Sequence, residues 1–261
     1  MDLLTFCTSW VFSTGLRPTS QDGHTIYDPL KSNTSEKIEN AAWKIRYGDG
    51  SGALGDVYLD TVKVGTTIAK KQAVEAAEAI TGSFKLDQDS DGLLGLGFDH
   101  INTIRPIKQP TFITNVKDSL SAPIFTADLK KGRPGSYDFG FIDSKKHLGP
   151  IKYIPVDKKR GYWNVTSESY AIGNGKSTFT SFSGIMDTGT TLLLLPSPIV
   201  ALYYGKVSGA HWERRAGGYI FPCSTSLPSF TLGFGSYDAI IPGSYMKYAP
   251  LSVKNNSKLS L

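Results

Sequence analysis

Gly184-Ile-Met-Asp-Thr-Gly-Thr-Thr-Leu-Leu-Leu-Leu-Pro196 sets one carboxylate, Asp187, in a Thr/Gly turn between two apolar runs. Apolar runs on both sides of a polar turn predict strands entering and leaving it, an arrangement that holds Asp187 over a cleft. In such a turn the glycine allows close backbone approach, the threonine hydroxyls hold the loop, and the apolar strands exclude water. Two facing carboxyls that share one proton can hydrolyse a peptide bond without metal or covalent intermediate. The ionised one takes a proton from water, and the protonated one polarises the carbonyl. Such a pair titrates as a unit. Asp-Thr-Gly occurs once in this chain, so the chemistry suggested by Asp187 lacks a visible second half.

Working outward, Trp43-Lys-Ile-Arg-Tyr47-Gly-Asp-Gly-Ser-Gly52 alternates large residues into a Gly/Asp turn, which predicts a hairpin with an aromatic near its tip. Residues 55 to 65 alternate apolar and polar like a half-buried strand. Asp91-Gly-Leu-Leu-Gly-Leu-Gly97 is an apolar run cut by glycine, read either as plain core or as a place where another backbone passes close. A helix is expected from Pro198 to Lys206, with Ser197 as N-cap and Pro198 in the first helical position. Thr111 to Leu120 is a weaker helical candidate. The 27 glycines, 14 prolines and 30 aromatic residues in 261 suit many short strands joined by tight turns.

In chain order, Trp10-Val-Phe-Ser13, Tyr47-Gly-Asp-Gly-Ser51, Asp91-Gly-Leu-Leu-Gly-Leu96, Phe139-Gly-Phe-Ile-Asp143, Asp187-Thr-Gly-Thr190, and Gly218-Tyr-Ile-Phe-Pro-Cys223 with Leu227-Pro-Ser-Phe230 form a series. On these motifs the chain resembles the pepsin-like aspartic endopeptidases, of the fungal penicillopepsin type. The resemblance implies a mostly β, bilobal double β-barrel, incomplete at both termini. The N-terminal lobe is expected over residues 1–150 and the C-terminal lobe over 151–261, divided near Gly149 to Pro155, where Gly-Pro and a second Pro flank an extended apolar run.

Residue by residue, the resemblance implies that Asp187 is the second catalytic carboxylate, with Thr188 in the interlobe hydrogen-bond grip, Thr190 beside the dyad, and Gly189 and Thr190 among the substrate-binding residues. Tyr47 becomes the flap tyrosine that closes over substrate, its ring leaning on Trp10, whose indole needs a hydrogen-bond acceptor once buried. Gly48 and Asp49 offer hydrogen bonds to an extended peptide. Leu93 and Phe98 are candidates for apolar subsites, with core packing as the alternative for Phe98. Two departures stand out. Aligning Trp10 to Ser13 puts Leu3 where the first catalytic Asp belongs, and Asp2 is one residue out of register, which turns a strand side chain to the opposite face. After Leu251 the family continues through a cysteine and closing strands, so Cys223 is implied to pair with a cysteine in that segment. A bridge to Cys7 is the alternative.

The implied activity is cleavage of peptide or protein substrates at acid pH, weak or absent in this chain for want of the first carboxylate. Alternatives are a non-catalytic relative that binds peptides or proteins in the old cleft, and the product of a truncated gene. A monomer is expected, with no cofactor. Four separated histidines, His24, His100, His147 and His211, predict no metal site. The net charge of +5 comes from scattered basic pairs without an aromatic-interleaved stripe, so nucleic acid is not an expected partner. The longest apolar runs are too short for a membrane helix. Residues 1 to 16 do not read as a signal peptide, although the resemblance implies a secreted or vacuolar protein, and Asn33, Asn164 and Asn255 head glycosylation sequons.

Overall fold

The computed structural model describes residues 2–4, 7–251 and 258–260, the first and last of these as backbone only. The protein is mostly β. It divides into two compact units: one holds the chain through Ile151 with Asp157–Trp163 and Met186–Gly189, the other Lys152–Val156, Asn164–Ile185 and the chain from Thr190 on.

In the first unit, β1 (Asp2–Leu4), β2 (Trp10–Phe12), β3 (Glu36–Arg46), β4 (Gly52–Val64), β5 (Thr67–Ile80) and β6 (Gly92–Gly95) form one mixed sheet in the order β1-β6-β2-β5-β4-β3. The expected hairpin is β3 and β4, antiparallel from Arg46↔Gly52 at the tip, and the strand read at 55 to 65 is the body of β4. β5 runs against β4 and parallel to β2, and its segment Gln72–Ala77 is buried at every residue, as befits a strand covered on both faces. The Asp91–Gly97 run is both of the things it was read as. Leu93 joins the core of Trp10, Phe12, Trp43, Ile45 and Val57, while its neighbour Leu94 packs in a separate cluster with Leu96, Phe112 and Val116, as alternation along a strand requires. A Cβ added to Gly92 would sit 2.3 Å from the Trp10 carbonyl oxygen, so glycine is what lets β6 approach β2. Short helices α1 (Gly82–Leu86) and α2 (Phe112–Val116) and the ribbon of β7 (Phe125–Asp128) and β8 (Ser136–Phe139) complete this unit. α2, continued as a 3-10 turn over Lys117–Ser119, is the helix expected at Thr111 to Leu120.

The second unit has two four-stranded sheets. β10 (Thr178–Ile185), β9 (Asn164–Ile172), β13 (Phe230–Phe234) and β14 (Tyr237–Ile241) form one in that order. β11 (His211–Glu213), β12 (Gly218–Pro222), β16 (Lys258–Ser260) and β15 (Ala249–Pro250) form the other. All sheets are open ladders among the described residues. α3 (Ser197–Tyr204) packs Ile199, Tyr203 and Tyr204 against Phe221 and Phe230. Its start corrects the sequence reading. Pro196, not Ser197, is the N-cap, because its carbonyl already accepts from the amides of Ile199 (2.9 Å) and Val200 (3.1 Å), which draws Ser197 into the helix. The helix ends at Tyr204, with Gly205 as C-cap, two residues before Lys206. Cys7 and Cys223 are both free thiols. Among the described residues no helix is long and apolar enough to cross a membrane.

Candidate active site

The β3–β4 hairpin turns through Tyr47-Gly-Asp-Gly-Ser51. The Tyr47 amide donates to the Ser51 carbonyl at 2.8 Å and the Gly50 amide to the Tyr47 carbonyl at 3.1 Å. Gly50 takes φ +88°, a left-handed value that a side chain opposes. Asp49 ties the tip from within: its Oδ1 accepts from the Ser51 amide at 2.9 Å and the Ser51 hydroxyl at 2.6 Å, and the hydroxyl bond, with the amide bond second, holds its carboxyl below the usual range. Gly48 and Asp49 are exposed, which leaves their polar groups at the surface of the tip.

One residue inward the setting changes. Trp10 is wholly buried, and its Nε1 donates to Tyr47 Oη at 2.9 Å, supplying the acceptor that an enclosed indole needs. Trp10 also stacks on Trp43, with centroids 6.0 Å apart. Phe84, on α1, meets Trp10 edge-on at 4.9 Å and Tyr47 edge-on at 5.7 Å, so the Tyr47 ring is braced on one side and hydrogen-bonded at its end. Burial pushes the Tyr47 phenol well above its ordinary range, so it stays a neutral hydroxyl. Phe84 was missed in the sequence; its signal was an aromatic standing two residues after Gly82 at the close of β5. Leu93, expected at an apolar subsite, is 5% exposed and faces the core beside Trp10, because the alternation of β6 turns it inward. Phe98 is half-buried against Trp163, at 4.8 Å.

Asp187 lies in the turn that follows β10. Its Oδ1 accepts from the Gly189 amide at 3.0 Å, and the preceding Met186 amide donates to the Trp163 carbonyl at 2.9 Å. Trp163, also missed, is fixed by its indole bond to the Leu96 carbonyl at 2.8 Å and by Phe125 at 5.5 Å. The expectation of apolar strands sealing Asp187 on both sides needs correction. β10 enters the turn, but Thr190 to Pro196 forms no strand, and Met186 is 60%, Leu193 37% and Leu194 75% exposed. The physical reason is that the run after the turn joins no sheet among the described residues, so its side chains have no pleated face to pack on; of its four leucines Leu195 alone is half-buried, against the core of the second unit. Thr188, Gly189 and Thr190 are exposed. Leu3 pairs with Leu94 as backbone in β1, and its side chain lies outside the described residues.

The protein-family model described as eukaryotic aspartyl protease matches residues 7–258. The chain is 51% identical to Aspergillopepsin-1 of Aspergillus fumigatus over 243 residues, covering 93% of this chain and 61% of that protein. It is 52% identical to Penicillopepsin-1 of Penicillium rubens over 248 residues, covering 95% of this chain and 62% of that protein. It is 50% identical to Endothiapepsin of Cryphonectria parasitica over 248 residues, 95% of this chain and 59% of that protein. The chain thus spans about three fifths of the length of the curated relatives it matches.

Proposed function

The chain belongs to the eukaryotic aspartyl protease family, and from that premise we propose that it carries one half of an aspartic endopeptidase site, with Asp187 as the carboxylate and the Tyr47 hairpin as the element that closes over an extended peptide. The lobe division at residues 150 and 151, and secretion or delivery to a vacuole, are part of the same proposal.

The observation that carries the reading is the hydrogen bond from the enclosed Trp10 indole to Tyr47. It fixes one aromatic hydroxyl at the root of a hairpin whose tip remains free to offer Gly48 and Asp49. A peptide laid beneath such a hairpin can bond to backbone groups along its length, which suits recognition of extended chains. Asp187 supplies the base. A hydrolytic dyad needs a second carboxyl to hold the shared proton, and the sequence has Leu at position 3, where the resemblance sets it.

The test is cleavage of a denatured protein at acid pH by the chain as it stands, by Asp187→Asn and by Leu3→Asp. Activity in the Leu3→Asp protein, lost by roughly 10²- to 10⁴-fold when Asp187→Asn is added, supports the dyad reading. Cleavage indifferent to Asp187→Asn sinks it. The Leu at position 3 also favours a second reading, peptide binding without cleavage. It predicts that the unmodified chain retains an extended apolar peptide which Tyr47→Ala releases.

A further inference from the structure

Glu75 is a buried charge-bearing side chain that the site described above does not use. It lies in the middle of β5, 1% exposed, paired in register with Trp10 on one side and Val57 on the other. Its Oε1 accepts from Asn102 Nδ2 and its Oε2 from Thr103 Oγ1, at 3.3 and 3.4 Å. Asn102 Nδ2 also donates to the Cys7 carbonyl at 3.3 Å, and Thr103 shares a hydroxyl contact of 3.2 Å with Thr8. The Glu75 amide donates to the Ser9 carbonyl at 3.1 Å. The side chain and its backbone therefore fasten the segment 7 to 9, which leads directly into Trp10.

What surrounds this carboxyl is neutral. Among the described residues no lysine, arginine or histidine comes within ion-pair range of it. Arg105 spends its Nη1 on the carbonyls of Asn102 and Ile104, at 2.9 and 2.8 Å. The titratable groups that face Glu75 are Cys7, whose thiol burial pushes up to about 12, and Tyr47, also pushed upward by burial, so both are uncharged across the working range. β2 and β4 contribute Trp10 and Val57, which carry no charge. An ionised carboxylate enclosed with three neutral donors, Asn102, Thr103 and the Ser9 backbone, and no cation is costly. Burial accordingly holds Glu75 well above the ordinary carboxylate range, against the smaller opposing pull of the Asn102, Thr103 and Ser9 backbone bonds. As a neutral acid, Glu75 can use the 3.4 Å contact in the other direction, donating to Thr103 while the Thr103 hydroxyl turns to Thr8.

We propose that Glu75 is a pH-dependent positioning residue: neutral, it closes the network that holds segment 7–10 and with it the Trp10–Tyr47 hydrogen bond, and on ionisation it opens that network and releases the Tyr47 hairpin. The consequence for peptide binding rests on the reading of Tyr47 given above; the protonation of Glu75 and its effect on Trp10 do not. The sign follows from linkage. A carboxyl raised in the folded state above its unfolded value leaves stability complete below the unfolded value, about 4.3, and removes it as pH rises from there to the folded value.

The experiment is unfolding of the full chain across pH, with the Trp10 indole N–H resonance followed in parallel, for the native protein and Glu75→Gln, which keeps the neutral shape. In the native protein the folding constant of the first unit should fall by up to tenfold per pH unit above about pH 4.3, and the Trp10 resonance should shift in step. In Glu75→Gln both should be flat through that window. The same pH slope in the two proteins overturns the proposal. So does a Trp10 resonance that does not move while stability falls. A measurement on the unsubstituted protein guards against a variant that fails to fold: the Glu75 carboxyl carbon should keep the protonated shift at about pH 4.3, where an ordinary glutamate is half ionised. An ionised shift there overturns the proposal. None of these readouts needs cleavage, so loss of the protease reading leaves the result on Glu75 intact.

Discussion

The Tyr47 hairpin and the Asp187 turn were read from motifs of similar length, each a glycine-bearing turn at the end of an alternating or apolar run. The hairpin root is enclosed by Trp10, Trp43 and Phe84, partners drawn from 4 and 37 residues upstream and 37 residues downstream of Tyr47 in the sequence. The Asp187 turn closes on itself through Gly189 and hangs from Trp163, while Met186 and Leu194 remain mostly exposed. A turn motif therefore specifies its own hydrogen bonds but not its cover. Cover comes from elements elsewhere in the chain, and the run after the Asp187 turn joins no sheet among the described residues that could bring it.

The sharpest way to break that comparison is to truncate one apolar side chain in each region. Trp10→Ala removes a fully buried indole and opens a cavity among Phe12, Trp43 and Phe84, so the first unit should lose about 3–5 kcal/mol. Leu194→Ser, at 75% exposure, should change stability by less than about 0.5 kcal/mol. Urea unfolding followed by near-ultraviolet circular dichroism reads both. Equal effects would mean that the Asp187 flank is covered after all.

A finer cut separates packing from hydrogen bonding within the hairpin root. Tyr47→Phe keeps the ring against Phe84 and deletes the hydroxyl that accepts from the Trp10 indole. A buried donor left without a partner costs about 1–3 kcal/mol. Tyr47→Leu should cost more, because the edge-on contact goes as well. If Tyr47→Phe is neutral, the indole has found water, and the hairpin root is wetter than its burial implies.

These contrasts explain what was legible beforehand. The hairpin and β4 follow from period-two alternation, whereas the Tyr47–Trp10 meeting came with the family resemblance, the buried indole's need of an acceptor saying only that some partner must stand there. The start of α3 was misplaced by one residue because Ser197 is the better capping side chain, whereas the carbonyl of Pro196 makes the first bonds. Leu93 was a subsite candidate by resemblance; the run around it is apolar on both sides of the strand, so alternation gave no direction until β6 was seated between β1 and β2. Glu75 was invisible because Glu75 and Glu78 stand alike among alanines in Ala73-Val-Glu-Ala-Ala-Glu-Ala79, yet one is buried and the other exposed. Only the central place of β5 tells them apart.

The smallest effect lies at the hairpin tip, and its direction is the informative part. Hydrogen bonds from Ser51 depress the folded-state Asp49 carboxyl below its unfolded value, so their stabilisation is present above about pH 3.9 and is lost as pH falls through the folded value. The tip is exposed, so solvent screening limits this to a few tenths of a kcal/mol. Asp49→Asn keeps an oxygen acceptor for the Ser51 amide and removes the charge. It should leave stability near neutrality within about 0.5 kcal/mol and erase the loosening at low pH. Amide hydrogen exchange at Ser51, corrected for its intrinsic pH dependence, reads this directly: protection should fall on acidification in the native chain and stay level in Asp49→Asn. Glu75 has the opposite sign, tightening the root in acid. A hairpin firm at its root and loose at its tip under the same conditions keeps the Tyr47 hydroxyl in place while Gly48 and Asp49 adapt to whatever chain lies beneath them.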